Sequence, residues 1–501
     1  MAGNIFTRFV QAATVPDKNF LLPPGQAPIS FRNSFMMAAR FAHVLVRHGV
    51  RPGDRVAVQV EKSPEALFLY LACLRAGAVY LPLNTGYTAS ELAYFVGDSE
   101  PRLFVCSLAN HAKIAAALPG IELLTLSDDG KSGSLITEAA DAPTEFGDVA
   151  VSSDDMASIL YTSGTTGRSK GAMLSHGNLA SNAQTLKEAW RFSDQDVLLH
   201  ALPIFHIHGL FVATNVSLIS GASIILLPKF DLDAIFAVLP LASVMMGVPT
   251  FYTRMLQDPR LNRETTDRIR LFVSGSAPLL AQTHRQWQER AGHAILERYG
   301  MTETNMNTSN PYDGPRRPGS VGLPLPGVEL RIADKDGNAL PQGEIGIIEV
   351  RGPNVFKGYW RMPDKTAAEF RADGFFITGD LGTIDADGYV QIVGRNKDMI
   401  ISGGFNIYPK EIESLIDEML GVTETAVVGL PHPDFGEGVT AFIVKSGSDV
   451  LMEQDVIAAL KDRLARFKHP KRVIFVDQLP RNTMGKVQKS LLREEYNSLY
   501  A

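Results

Sequence analysis

The sequence predicts an α/β protein with a large N-terminal part of parallel-rich sheets packed with helices, a β-rich stretch, and a small α+β part at the C-terminus. Three observations predict it. Apolar runs of strand length alternate with amphipathic helical patterns up to residue 298, Asp-Gly turns separate short apolar runs after Pro311, and a third texture of helices between longer strands begins beyond Arg395.

The elements follow in chain order. Residues 55–60 alternate as a strand, and Ser63-Pro64-Glu65 then supplies an N-cap, a first-turn proline and an acid at the positive helix end. A helix runs to Ala76, Gly77 stops it, and residues 78–81 read as the next strand, which completes a βαβ unit. Strands recur at 156–161, 197–202, 223–227, 244–248, 271–273 and 295–298, so the sheets should be largely parallel. Two uncharged stretches, 209–228 and 234–253, reach membrane-spanning length. Asn215, Ser217, Ser220 and Gly221 interrupt the first and Pro240, Gly247 and Pro249 the second, so buried helix–strand pairs are expected instead. Asp313-Gly314, Asp336-Gly337, Asp373-Gly374 and Asp387-Gly388 mark the turns of the β-rich stretch. Beyond it, helices at 409–419 and 453–464 alternate with strands at 425–430, 440–445 and 473–476.

Composition narrows the function classes. The 501 residues carry 48 Lys+Arg against 54 Asp+Glu, a net charge of −6, and are 45% hydrophobic, which suits a chain of several domains with a large core. A disordered, collagenous or disulfide-scaffold protein is excluded. The charges are spread along the chain, so there is no electrostatic footprint for nucleic acid. Cys73 and Cys106 are the only cysteines and no signal-peptide order opens the chain, so a cytoplasmic protein without a membrane span is expected.

The densest chemical signal is Tyr161-Thr162-Ser163-Gly164-Thr165-Thr166-Gly167-Arg168-Ser169-Lys170-Gly171, after a buried strand and before a helical pattern from about Ser175. Glycines let the backbone approach a ligand, hydroxyls and amides donate to phosphate oxygens, and Lys170 adds charge. It reads as a phosphate loop, though the order Ser169-Lys170-Gly171 is not that of the common NTPase loop. Gly167-x-Ser169-x-Gly171 also matches the nucleophile elbow of an α/β serine hydrolase. Gly164 and Gly167 stand between Tyr161 and Ser169, where an elbow needs a sharp strand-to-helix turn, so the hydrolase is the distant alternative.

Four further motifs stand in order: Tyr299-Gly300-Met301-Thr302-Glu303-Thr304, Thr378-Gly379-Asp380, Gly394-Arg395-Asn396-Lys397-Asp398 and Pro480-Arg481-Asn482-Thr483-Met484-Gly485-Lys486. With these the chain resembles, over nearly its whole length, the acyl-adenylate-forming enzymes: acyl-CoA synthetases, peptide-synthetase adenylation domains and firefly-type luciferases. The resemblance implies an acid–thiol ligase that uses ATP, Mg²⁺ and CoA. It gives Lys486, Thr302 and Glu303 catalytic roles, with Glu303 holding Mg²⁺. It places ATP against the phosphate loop, Ser276-Ala277-Pro278, Tyr299, Gly300, Met301, Thr302, Asp380, Arg395 and Lys486, with Asp380 accepting from the ribose hydroxyls. It implies an N-terminal domain of residues 1–396 and a mobile C-terminal domain of 397–501 that rotates about a hinge at Lys397. After rotation Ser402-Gly403-Gly404-Phe405-Asn406 would line the pantetheine tunnel and Lys486 would leave the site. Lys486 also resembles the family's lysine-acylation targets, which makes a lysine acetyltransferase or deacetylase a protein partner. The basic run Arg466, Lys468, His469, Lys471 and Arg472 reads either as a CoA phosphate contact or as a solvated helix end. The chain ends shortly after Lys486, so the acceptor, CoA, should arrive in trans.

The acid is read from Arg298 and Arg254. In this family the strand entering the Tyr299 motif runs under the acyl pocket, usually with a small or neutral residue where Arg298 stands, and Arg254 falls on a helix lining the same pocket. Buried guanidinium groups need partners and match carboxylates. Either arginine could instead face solvent or pair with Glu297. If both face the pocket, it should hold a second carboxylate, with Ser276 and His206 completing it, and the combination resembles the malonate-activating members of the family. Methylmalonate or another small carboxylic acid is the alternative. Acetate should then be rejected by roughly 10⁴-fold, because it leaves the buried cations without a partner.

Overall fold

A computed structural model of the chain describes residues 3–162, 169–446, 451–461, 463–482 and 486–500. Among these residues two sheets carry the N-terminal part. The first runs, in spatial order, Leu123–Leu126, Leu103–Ser107, Arg55–Gln59, Val79–Pro82, Met156–Thr162 and Lys170–Ser175. Its pairs are parallel except the last, where Met156–Thr162 and Lys170–Ser175 are antiparallel and flank residues 163–168. The βαβ unit forms as its sequence requires: Ser63 caps the helix Pro64–Arg75, its Oγ accepting from the Ala66 amide at 3.2 Å.

The second sheet has the strands Leu271–Ser274, Val244–Gly247 and Val197–His200 at its centre, with Leu296–Met301 and Ser223–Leu226 on either side, all parallel. Their carboxyl ends therefore lie along one edge, where ligands bind in open α/β sheets. That edge carries residues 201–207 after His200, Gly275-Ser276 after Ser274, and the 302–304 turn after Met301. Antiparallel strands Asn305–Ser309 and Ile29–Ser30 lie towards the sheet's two edges, so the sheets are largely but not wholly parallel.

The first membrane-length stretch is core, but the second is only partly so: in the helix Leu232–Val238 only Ile235 is buried, Leu241 is 60% exposed, and burial is complete only in the strand Val244–Gly247. The first becomes the π-helical segment His208–Thr214, the helix Asn215–Ser220 and the strand Ser223–Leu226, all buried. Among the described residues no helix is long and apolar enough to cross a membrane. The β-rich stretch is a four-stranded antiparallel sheet, Glu329–Ala333, Gly346–Arg351, Phe376–Ile384 and Val390–Arg395. Gly388 turns its last hairpin at φ +86°, a conformation glycine adopts without strain. Beyond it, Val422–His432, Gly436–Lys445 and Arg472–Val476 pack with the helices Pro409–Asp417 and Glu453–Leu460, each of which ends earlier than its apolar pattern predicts. Two apolar clusters built from residues beyond 399 form the core of this part.

Candidate active site

Ser163, Gly164, Thr165, Thr166 and Gly167 of the phosphate loop lie outside the described residues. The loop's two ends are described. Thr162 Oγ1 donates to Glu303 Oε1 at 3.3 Å. Lys170 is buried, with Nζ 3.1 Å from Glu369 Oε1 and 4.1 Å from the centre of the Tyr359 ring. The Tyr359 hydroxyl lies 3.1 Å from Glu303 Oε1 and 2.6 Å from Glu369 Oε2, so one hydroxyl proton bridges two carboxylates. Burial raises the Glu303 carboxyl, with the Tyr359 hydrogen bond and the Lys170 charge opposing. Tyr359 and Glu369 carry no signal in the sequence, because nothing local marks them; only the fold brings the β-rich stretch against this loop.

Glu303 is placed by a hairpin turn. Thr302, Glu303 and Thr304 join Leu296–Met301 to Asn305–Ser309, and Asn305 takes a left-handed φ of +51°. Gly300 is required there, since a Cβ would overlap the Asn305 carbonyl oxygen. Thr302 and Met301 are half-buried at the same turn. Ser169 leads into an antiparallel strand, its carbonyl accepting from the Tyr94 hydroxyl at 2.8 Å, so the strand-to-helix elbow of a serine hydrolase is absent at this residue.

On the next side of the site the Tyr299 hydroxyl donates to Asp380 Oδ2 at 2.6 Å, and Asp380 Oδ1 pairs with Arg395 Nε at 2.9 Å. The Asp380 charge raises Arg395 against the opposing effect of burial. Lys486 joins this group from the C-terminal part, where its amide donates to Asn482 Oδ1 at 3.0 Å and its carbonyl accepts from the Asn482 amide at 2.9 Å. Burial first and the Arg395 charge second push its amine down to about 8, with Asp380 and Glu303 pulling the other way and Arg298 adding to the push. The lysine thus feels Asp380 and Arg395 on one side and Arg298 on the other at once.

The side of the site that the sequence reading gives to the acid holds Arg298, which is 3% exposed. Its guanidinium lies against Gly275, where an added Cβ would stand 2.6 Å from Nη1. Nε and Nη2 have no hydrogen-bond partner among the described residues. Burial pushes the group down to about 9, so it is still cationic at neutral pH. His206 is half-buried and pushed down to about 3 by burial, then by Lys486 and Arg298. His208 Nδ1 lies 3.1 Å from Ser276 Oγ, and Ser276 holds a left-handed φ of +71°, a strained value for serine at the carboxyl edge of the sheet. Ala277 is half-buried and Pro278 exposed.

Two expectations about arginine need correction or settling. Arg254 is exposed in the last turn of Pro249–Gln257, so a pair of buried arginines does not form: only Arg298 is buried. Its place on an outer helix face follows from the helical period, which puts its neighbours Tyr252 and Met255 inward. Glu297 does not neutralise Arg298, because successive strand residues face opposite ways. Its Oε1 accepts from the Leu279 amide at 3.1 Å while Oε2 has no partner among the described residues, and burial pushes the carboxyl up to about 8. A group whose folded pKa is raised gives stability that is full below its unfolded value near 4.5 and lost as pH rises through about 8. Glu297→Gln is therefore expected to raise Tm by a few degrees at pH 8–9 and to change it little at pH 5, measured by thermal unfolding at both pH values.

In the C-terminal part Ser402 is buried, and Gly403 and Gly404 turn the hairpin between Ile400–Ser402 and Phe405–Ile407 at φ +58° and +82°. Phe405 is exposed on one side and stacked on Phe467 at 4.4 Å. Lys397 is exposed in the short turn Asn396–Asp398 that leads into this part. Much of the basic run is used within the fold: Lys468 pairs with Glu411 at 2.7 Å, Arg472 with Glu453 at 3.6 Å, and Lys471 lies over Phe435.

Comparison with known proteins agrees with this geometry. Residues 9–360 match the AMP-binding enzyme family and residues 411–486 the AMP-binding enzyme C-terminal domain. A feruloyl-CoA synthase of Amycolatopsis sp is 38% identical over 477 residues, covering 94% of this chain and 95% of its own. A malonate–CoA ligase of Arabidopsis thaliana is 36% identical over 485 residues, covering 89% of this chain and 78% of its own. The crystal structure of ATP-bound MatB from Rhodopseudomonas palustris is 59% identical and superposes with a TM-score of 0.98 over all of both chains. The apo crystal structure of MatB superposes less closely, at 0.87 with the same identity and coverage. This chain belongs to the AMP-binding enzyme family, and its chemistry is that of an AMP-forming acyl-CoA synthetase.

Proposed function

We propose that the protein is an ATP-dependent malonyl-CoA synthetase: malonate and ATP give malonyl-adenylate and pyrophosphate, and CoA then gives malonyl-CoA and AMP. The observation that carries the choice of acid is Arg298, a buried guanidinium whose Nε and Nη2 have no partner among the described residues and whose charge reaches His206 and His208, the latter 3.1 Å from Ser276 Oγ. An unpaired buried cation is costly, and a second carboxylate on the substrate supplies what it lacks. The 36% identical malonate–CoA ligase supports the same reading.

Malonate is already ionised at pH 7, so attack on the α-phosphorus needs no general base; the barrier is the meeting of two anions. The chain's answer is fixed positive charge. Lys170 is held by Glu369 and Tyr359 at the end of the phosphate loop, Tyr299, Asp380 and Arg395 receive the nucleoside, and Lys486 stands between phosphate and acid. Glu303 with the Thr162 hydroxyl is a hard-oxygen pair that suits Mg²⁺, which binds through one or two carboxylates plus the substrate's phosphates. Held there, such an ion would supply positive charge that offsets the negative charge of the pyrophosphate. Arg254 is exposed, so its part is confined to the approach of the acid.

The second half follows from a division into residues 1–396 and 397–501 that turns about Lys397. Rotation withdraws Lys486 and brings Ser402, Gly403, Gly404 and Phe405 to the acyl end, where the CoA thiolate attacks the adenylate carbonyl and AMP leaves. The better superposition on the ATP-bound MatB crystal than on the apo one supports the adenylating arrangement here. The protein works in the cytoplasm, and acylation of Lys486 by a lysine acetyltransferase, reversed by a deacetylase, would remove its charge.

The test is AMP release dependent on both ATP and CoA across malonate, methylmalonate, succinate, acetate, butyrate and benzoate. Malonate should have the highest kcat/KM; a monocarboxylate at the top of the series would refute the assignment. Gly275→Ala is a second check. Its methyl group displaces the Arg298 guanidinium, so kcat/KM for malonate should fall roughly 10²-fold with KM for ATP unchanged.

A further inference from the structure

Lys62 is a buried cation that the proposed chemistry does not use. It is 7% exposed, and all three of its donors are spent on one short segment: His200 Nδ1 at 2.7 Å, the His200 carbonyl at 2.8 Å and the Leu202 carbonyl at 2.9 Å. Burial alone drives its amine well below the usual lysine range. Taking such a group out of water without a carboxylate is expensive, so its place calls for a reason beyond packing.

The reason lies in what Lys62 joins. It follows the strand Arg55–Gln59 of the sheet that ends in the phosphate-loop hairpin, whereas His200 ends the strand Val197–His200 at the carboxyl edge of the other sheet. Since Lys62 donates to His200 Nδ1, the ring's Nε2–H is free to donate to the Gly209 carbonyl 2.8 Å away. The Thr214 hydroxyl donates to the same carbonyl at 3.0 Å. Lys62 thus clamps residues 200–202 directly and residue 209 through the imidazole, the two ends of the segment that presents His206 and His208 to Arg298 and Ser276. Its sequence context, Glu61-Lys62-Ser63 before a helix N-cap, gives no sign of this.

We infer that Lys62, acting through His200, is a positioning residue for acid selection, a tie between the two sheets that holds the histidine segment at the distance the substrate's second carboxylate requires. The inference rests on the proposed acid pocket around Arg298. It places Lys62 out of reach of substrate, so its effect is on the geometry of the residues that touch the acid.

The test is steady-state kinetics of Lys62→Met, with His200→Phe as a second variant that keeps Lys62 and its two carbonyl acceptors but cuts the link to Gly209. The expected result for each is a rise in KM for malonate of roughly tenfold or more with KM for ATP within about twofold, and a fall of the same order in the malonate-to-acetate ratio of kcat/KM. The double variant should lose no more than the worse single variant, because the two residues act as one unit. A general loosening of the fold would instead move both KM values together, and that outcome, or an unchanged malonate-to-acetate ratio in folded protein, overturns the inference. If Lys62→Met does not fold, His200→Phe alone decides it on the same readouts. Arg298→Ala run beside them separates the two levels: no change in acid preference there refutes the acid pocket itself, whereas a changed preference there with none in the Lys62 and His200 variants refutes only the tie.

Discussion

Arg298→Met is expected to cut kcat/KM for malonate by roughly 10³–10⁴-fold while leaving KM for ATP unchanged and acetate or butyrate activity equal or higher. The magnitude follows from a site built for a charged group: once the guanidinium is gone, nothing repays the desolvation of the distal carboxylate. Methionine fills much of the same volume without a charge. The same change should raise Tm in the absence of substrates, because the native side chain is a buried cation whose Nε and Nη2 have no partner among the described residues. Kinetics across the acid series and thermal unfolding of the free enzyme check both halves, and a variant that loses stability along with malonate activity would mean that Arg298 is a structural group.

Lys486→Ala is expected to slow adenylate formation by roughly 10²–10³-fold, the usual effect of removing one preorganised charge from a developing anionic centre. Malonyl-adenylate supplied from outside should still be converted to malonyl-CoA at close to the native rate, since the proposed rotation takes Lys486 away before the thiol attacks. Rapid-quench measurement of pyrophosphate release and of thioester formation distinguishes the two steps. The pH profile of the first step carries a sign. With its amine pushed down to about 8, Lys486 is cationic below that pH and loses its charge above it, so adenylation should decline on the alkaline side of about pH 8 in the native enzyme. Lys486→Arg, which keeps its charge, should retain a flat profile there.

How much of this was legible in the sequence depends on how local each determinant is. The βαβ unit was readable because its signals are adjacent: the Ser63 cap, Pro64 at the first turn and Gly77 at the stop all act within one helix. The first apolar stretch was readable as core because polar residues and Gly221 interrupt it at helix and strand ends, whereas the surface face around Leu232–Val238 in the second was not, since exposed positions such as Ala237 and Leu241 are themselves apolar. Glu303, Asp380, Arg395 and Lys486 were legible as members of ordered motifs, and the fold sets Asp380 against Tyr299 and Arg395. That Arg254 is exposed was not legible, because a lone arginine on a short amphipathic helix gives no measure of which face the helix buries. Tyr359, Glu369 and Lys62 were invisible for a different reason. Each acquires its role from a partner far along the chain, Glu303, Lys170 and His200 respectively, and no spacing rule connects them.

The proposed pocket reads the charge of a second carboxylate, and the most direct measurement is kcat/KM for malonate against malonamate, the monoamide, whose distal group has nearly the same shape without the charge. Malonate should be preferred by roughly 10³-fold or more, and this preference should disappear in Arg298→Met. Equal use of the two acids by the native enzyme, within about threefold, would contradict it, since shape alone would then be doing the selecting.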